Sequence, residues 1–84
     1  MVISSRRLNN YGMTVPKIRL QLAKRFREER QRAGLTQERV AELIGVSARY
    51  YQMLESRKPT AVKIDLIEKL AKSFGLPVWK ILKP

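Results

Sequence analysis

Arg49 and Gln52 stand three positions apart in the run ARYYQMLE. A guanidinium offers paired N–H donors and a carboxamide a donor beside an acceptor, so both suit two-point recognition of a flat polar edge. That is binding chemistry, and the chain offers little of any other kind. It contains no His and no Cys, which removes the commonest general base and metal ligand, disulfides and thiolate zinc sites. Glu28 and Glu29 are adjacent and so diverge on a helix, the wrong arrangement for two carboxylates serving one substrate. No glycine-rich phosphate loop and no nucleophile with a positioned base is present. The expectation is a protein that is not an enzyme and uses no cofactor or metal.

Charge indicates the kind of partner. Lys and Arg number 18 against 7 Asp and Glu, a net charge of +11 over 84 residues of which 44% are apolar. One small folded domain that attracts a polyanion fits those figures. The excess is uneven. Residues 34–47 carry one Arg and two Glu, for −1, whereas 48–60 carry three basic residues and one acidic, for +2. Residues 1–18 add +3 with no acid.

Arg49 and Gln52 need rigid elements to aim them, and apolar periodicity supplies these. Ile18, Leu22 and Phe26 recur at i, i+4, i+8 with Ala23 beside them, and Gly34 follows, which predicts a first helix over about 17–33. Thr36 is placed to cap a second helix whose buried stripe is Val40, Ala41 and either Ile44 or Leu43, with Gly45 at its end. Ser47 is placed to cap a third, with Tyr51 and Leu54 inward. Pro59 marks a loop, and Thr60 is placed to cap a fourth helix over about 61–74. Ile64, Ile67, Leu70, Ala71 and Phe74 stripe that helix, and Gly75 closes it. Pro77 suits the first turn of a short fifth helix containing Val78, Trp79, Ile81 and Leu82. The expected fold class is all-α, with five helices over 17–84 behind a basic segment over 1–16. Within that segment Tyr11, Met13 and Val15 alternate with Gly12 and Thr14, as in a short strand.

The register of the second and third helices is the most specific signal. Ala41 is small where two backbones must approach, and Gly45 can take the left-handed turn four positions later. Val46 then enters the core and Ser47 starts the next helix. Val40, Ile44, Val46, Tyr51 and Leu54 become the inward positions of a helix-turn-helix. Ser47, Ala48, Arg49, Gln52 and Met53 are left outward. Such a helix fits the DNA major groove, where Arg49 can bond guanine O6 and N7, Gln52 adenine N6 and N7, and Ala48 can meet a thymine methyl.

The run from about Leu22 to Leu82 resembles the phage-repressor and Cro-type (XRE) helix-turn-helix family, through GLTQERVAELIGVS, Leu54-Glu55 and LIEKLAKSFGLPVWKIL. The resemblance implies a compact five-helix repressor-like domain, with the helix-turn-helix at helices two and three, that binds operator DNA as a symmetric dimer. It also implies a scaffold ion pair between Arg30 and Glu55, and a phosphate contact for Gln37. The start of a helix, where backbone N–H groups and the dipole favour an anion, suits Gln37 to that role. Thr36 would serve as cap, phosphate donor or both. Arg57, Lys58 and Thr60 would lie along the DNA backbone, setting affinity rather than sequence preference. Tyr50 is open between the sugar-phosphate backbone and a place under the preceding loop, and Arg39 is an ambiguous addition.

Two departures touch the loop rather than the fold. Arg57 stands where the family usually has Gly, and Pro59-Thr60 comes two or three residues early. Residues 49–51 also resemble the Arg-Tyr-Tyr of mercury-resistance-type (MerR) regulators, but no Gly-Leu wing follows them.

The reading is a sequence-specific transcriptional regulator of double-stranded DNA, a dimeric repressor of the cytoplasm associated with the nucleoid. Its homodimer is expected through the C-terminal helix, where Trp79, Ile81 and Leu82 are more apolar than a closing helix needs; the other possibility is that they cap the core. The first sixteen residues would be a loose tail or a basic arm following DNA. The alternative function is a DNA-binding antitoxin of a toxin–antitoxin pair, with a toxin protein as further partner. A membrane role is set aside: no run approaches ~20 apolar residues, there is no signal-peptide core, and the amphipathic 17–33 stretch needs Leu22 and Phe26 for the core.

Overall fold

Pro16 has no N–H to leave unsatisfied, and its carbonyl accepts from the Arg19 and Leu20 amides at 3.0 and 3.4 Å, so it opens the first helix. The computed structural model describes residues 15–83. They form α1 (Lys17–Arg32), α2 (Gln37–Ile44), α3 (Ala48–Leu54), α4 (Ile64–Phe74) and α5 (Val78–Leu82), with no strand among the described residues. The all-α, five-helix expectation holds. All but Val15 of the alternating residues 11–15, and nearly all of the basic segment 1–16, lie outside the described residues.

The turn between α2 and α3 is fixed by local chemistry. Thr36 Oγ1 accepts from the Arg39 amide and Ser47 Oγ from the Tyr50 amide, both at 3.0 Å, so each helix has the N-cap its sequence predicts. A cap of this kind contributes roughly 1 kcal/mol. Gly45, at φ 78°, reverses the chain, and the Gly45 and Val46 amides return to the Glu42 and Ala41 carbonyls at 3.3 and 3.0 Å. Ala41 is 2% exposed, which is where a larger side chain would force the two helices apart.

One apolar cluster joins all five helices. Phe26 of α1, Val40 of α2, Tyr51 and Leu54 of α3, Leu70 of α4 and Ile81 of α5 are each almost fully buried within it. Each large apolar side chain so buried contributes about 1.5–3 kcal/mol. The short α3 is therefore held from behind through this shared cluster.

Three expectations need correction. Ile18 is 51% exposed, because only the end of the five-residue α5 stands opposite the first turn of α1. Ile64 is 81% exposed, since Val62 and Leu66 supply the apolar contact with the core at that end of α4. Thr60 caps nothing: Pro59 is buried, residues 61–63 stay non-helical, and α4 starts at Ile64 with Lys63 at its N-cap. The open choice in α2 is resolved for Ile44, at 2% exposure against 46% for Leu43, and Val46 packs half-buried against the core.

Candidate nucleic-acid interface

With Tyr51 and Leu54 turned inward, α3 presents Ser47, Arg49, Gln52 and Met53 to solvent. Arg49 has no ion-pair partner among the described residues. Ser47 is already engaged as a cap, and Ala48 is half-buried against the core, leaving it less outward than its position implies. Tyr50 is half-buried too. Its hydroxyl donates a long hydrogen bond, 3.4 Å, to the Ala61 carbonyl. It thus packs against the segment that follows α3 and not under the preceding loop.

The positions expected at phosphates fall on two neighbouring stretches. Arg57 and Lys58 are exposed beyond the end of α3, with Thr60 half-buried after them. Thr36 is exposed at the start of α2 with its hydroxyl proton still available. Gln37 is half-buried, and its Nε2 donates to Glu55 Oε1 at 3.0 Å. The ambiguous Arg39 is paired with Glu42 one turn along α2.

Behind this face lies a buried polar cluster. Arg30 Nε meets Glu55 Oε2 at 2.8 Å and its Nη2 meets Oε1 at 3.2 Å, a two-point guanidinium–carboxylate contact. The Arg30 Nη1 also donates to the Leu35 carbonyl at 2.9 Å. The Glu55 side chain is only 2% exposed and that of Arg30 13%. The hydrogen bond to Glu55 raises the Arg30 pKa above its ordinary value, with burial opposing it. Tyr51 sits against the same pair. Burial, reinforced by the Glu55 charge, holds its phenol well above the ordinary tyrosine range, and its hydroxyl has no hydrogen-bond partner of good geometry.

Sequence reasoning missed two members of this scaffold. Arg27 Nη1 donates to the Glu55 carbonyl at 3.0 Å, closing the end of α3. Its only signal is the i, i+3 spacing to Arg30. Glu29 is buried between Arg25, at 3.7 Å, and Arg32, at 3.3 Å, while Glu28 is exposed, so the adjacent carboxylates do diverge. At the other end of the molecule the three apolar residues of α5 separate. Ile81 is buried, whereas Trp79 is 61% and Leu82 48% exposed.

Two side-chain N-caps, a left-handed turn and an exposed face ending in a cationic loop define a helix-turn-helix of the DNA-binding class. A family model described as helix-turn-helix matches residues 26–78. The chain belongs to this helix-turn-helix family, and its general role is that of a DNA-binding regulator. Among solved structures, the crystal structure of a hypothetical transcription factor, NHTF from Neisseria, is similar, with a TM-score of 0.74 and 29% identity over 84% of this chain and 88% of that one. No curated protein matches the chain. Among the described residues, no helix is long and apolar enough to cross a membrane.

Proposed function

We infer that this protein is a sequence-specific repressor that occupies double-stranded DNA as a two-fold homodimer, acting on the nucleoid in the cytoplasm. The observation that supports this reading is the division of α3, with Tyr51 and Leu54 buried and Arg49, Gln52 and Met53 exposed. Arg49 bonds guanine O6 and N7, Gln52 bonds adenine N6 and N7, and Ser47, Ala48 and Met53 complete the contact with base edges. Thr36, Gln37, Tyr50, Arg57, Lys58 and Thr60 hold the duplex through its backbone. Gln37 keeps one amide proton for a phosphate while the other stays with Glu55. A single recognition helix reads too few base pairs for useful discrimination, so two copies are needed, joined at the exposed Trp79 face of α5 with half-sites one helical turn apart.

Selection of bound sites from random duplex DNA at two salt concentrations tests this reading. The expected product is an enriched palindrome. If the dimer neutralises about six phosphates, its affinity falls on the order of a thousandfold between about 50 and 200 mM salt. Recovery of no common sequence, or a flat salt response, would contradict it.

A further inference from the structure

The seam between α1 and α5 has no part in the DNA contacts of that reading. Ile18, Leu22, Ile81 and Leu82 line an open groove of about 260 Å³ there. Ile18 and Leu82 are 51% and 48% exposed at its mouth. The rim carries Lys24, Arg25 and Lys83 against Glu28 alone. Arg25 Nη2 donates to the Lys83 carbonyl at 3.0 Å and so ties the rim across the seam. The ammonium groups of Lys24 and Lys83 form no ion pair among the described residues. No residue of α2 or α3 lines the groove, so a duplex docked on α3 leaves it open.

We propose that this groove binds an acidic amphipathic peptide segment of a partner protein. Its apolar side chains lie on Ile18, Ile81 and Leu82, and its carboxylates meet Lys24 and Lys83. Charge selects this occupant over the nearest alternatives. Residues 1–16 of the chain carry Arg6 and Arg7 and no acid, so they would add like charge to the rim. A second copy laid over the seam would set one cationic rim against another. A bilayer presents a plane, and a concave seam takes a ridge. The groove shares no residue with α3 but takes Ile81 and Leu82 from α5, so the proposal stands apart from the DNA contacts of the repressor reading and requires its dimer to meet at Trp79 with the seam left open.

The test titrates a synthetic amphipathic helix, with a Leu stripe flanked by Glu, into isotope-labelled full-length protein, following backbone amide shifts and the fluorescence of Trp79. One control peptide carries Lys in place of Glu, and another Ser in place of Leu. The Glu/Leu peptide is expected to shift the amides of Ile18, Lys24, Ile81 and Lys83, and neither control is expected to do so. Lys24→Glu with Lys83→Glu weakens it by about tenfold, and Ile18→Asp does likewise; both changes are at exposed positions, and binding to selected DNA is unchanged. Equal binding of either control would overturn the proposal, as would shifts centred on Arg49 and Arg57, which signal bare attraction to the cationic face. Concentration-dependent shifts at Ile18 without peptide would assign the groove to a second copy. Capture by phosphatidylserine vesicles that Ile18→Asp abolishes would assign it to a membrane surface, and either result would overturn the proposal.

Discussion

Glu55, at the end of α3, is almost wholly buried and its carboxylate accepts from Arg30 twice and from Gln37 once, whereas Gln52 and Arg49, about one and two turns earlier, reach solvent without an internal side-chain partner among the described residues. The contrast separates two tasks. A helix that presents donors to a base edge must be held to within a fraction of an ångström, and Glu55, Arg30, Arg27 and the Tyr51 ring do the holding. A donor that reads a base must not already be spent, because any internal bond would have to be given up on binding. The positioning carboxylate of Glu55 is therefore saturated with partners, and the reading side chains of Arg49 and Gln52 are left without them.

Breaking the saturated side should have the largest effect. Glu55→Ala removes the acceptor of a mostly buried guanidinium and of Gln37, and is expected to cost about 3 kcal/mol or more in urea unfolding. Affinity for matched and unmatched DNA should fall together, since α3 loses its anchor rather than its readers. Replacing Arg30 and Glu55 together by apolar residues of similar volume should recover part of the lost stability. A Glu55→Ala protein of unchanged stability would mean that the cluster is not what holds α3.

Gly45→Ala separates geometry from contact. A Cβ at Gly45 would meet nothing within 4 Å, so the cost is that of an L-residue at φ 78° alone. About 1–2 kcal/mol is expected in the same unfolding measurement, with the preference for matched over unmatched DNA retained in the folded fraction. A loss of preference without a loss of stability would place Gly45 among the reading residues.

The smallest effect falls on the one unsatisfied atom of the cluster. The Tyr51 hydroxyl is buried without a partner, so Tyr51→Phe should change stability by less than ~1 kcal/mol, whereas loss of a real hydrogen bond would cost about that much. Its signature is in the pH dependence. The folded pKa of Tyr51 is raised above the ordinary value of 10.0, so its contribution is complete below that pH and is lost as the unfolded phenol ionises above it. Stability measured across the alkaline range should fall above about pH 10 in the wild type, and less steeply in Tyr51→Phe.

The sequence carried the local decisions well and the distant ones poorly. Thr36, Gly45 and Ser47 act within a few residues of themselves, through a hydroxyl reaching an amide three positions on or through a free φ, and their roles were legible. Arg30 with Glu55 was legible only through family resemblance, because 25 residues separate them and no periodicity links them. Ile18 and Ile64 continue their stripes in sequence, yet each stands at a helix end where the facing element has run out. Thr60 looks like a cap until Pro59 is buried and Tyr50 reaches Ala61, which keeps 61–63 out of the helix. Gln37 fits both a phosphate and a carboxylate, and only the fold brings Glu55 within reach. Arg27 gave almost no signal, since its partner is a backbone carbonyl.

The division between holding and reading is tested most directly by Arg49→Ala, with the dissociation constants for selected and scrambled duplexes measured beside the urea unfolding midpoint. The ratio of the two constants should fall by about tenfold or more, the worth of a two-point contact with guanine, while stability stays within about 0.5 kcal/mol of the wild type, as for other exposed positions. An unchanged ratio, or a ratio that falls only in step with lost stability, would contradict the assignment of Arg49 as a reader of sequence.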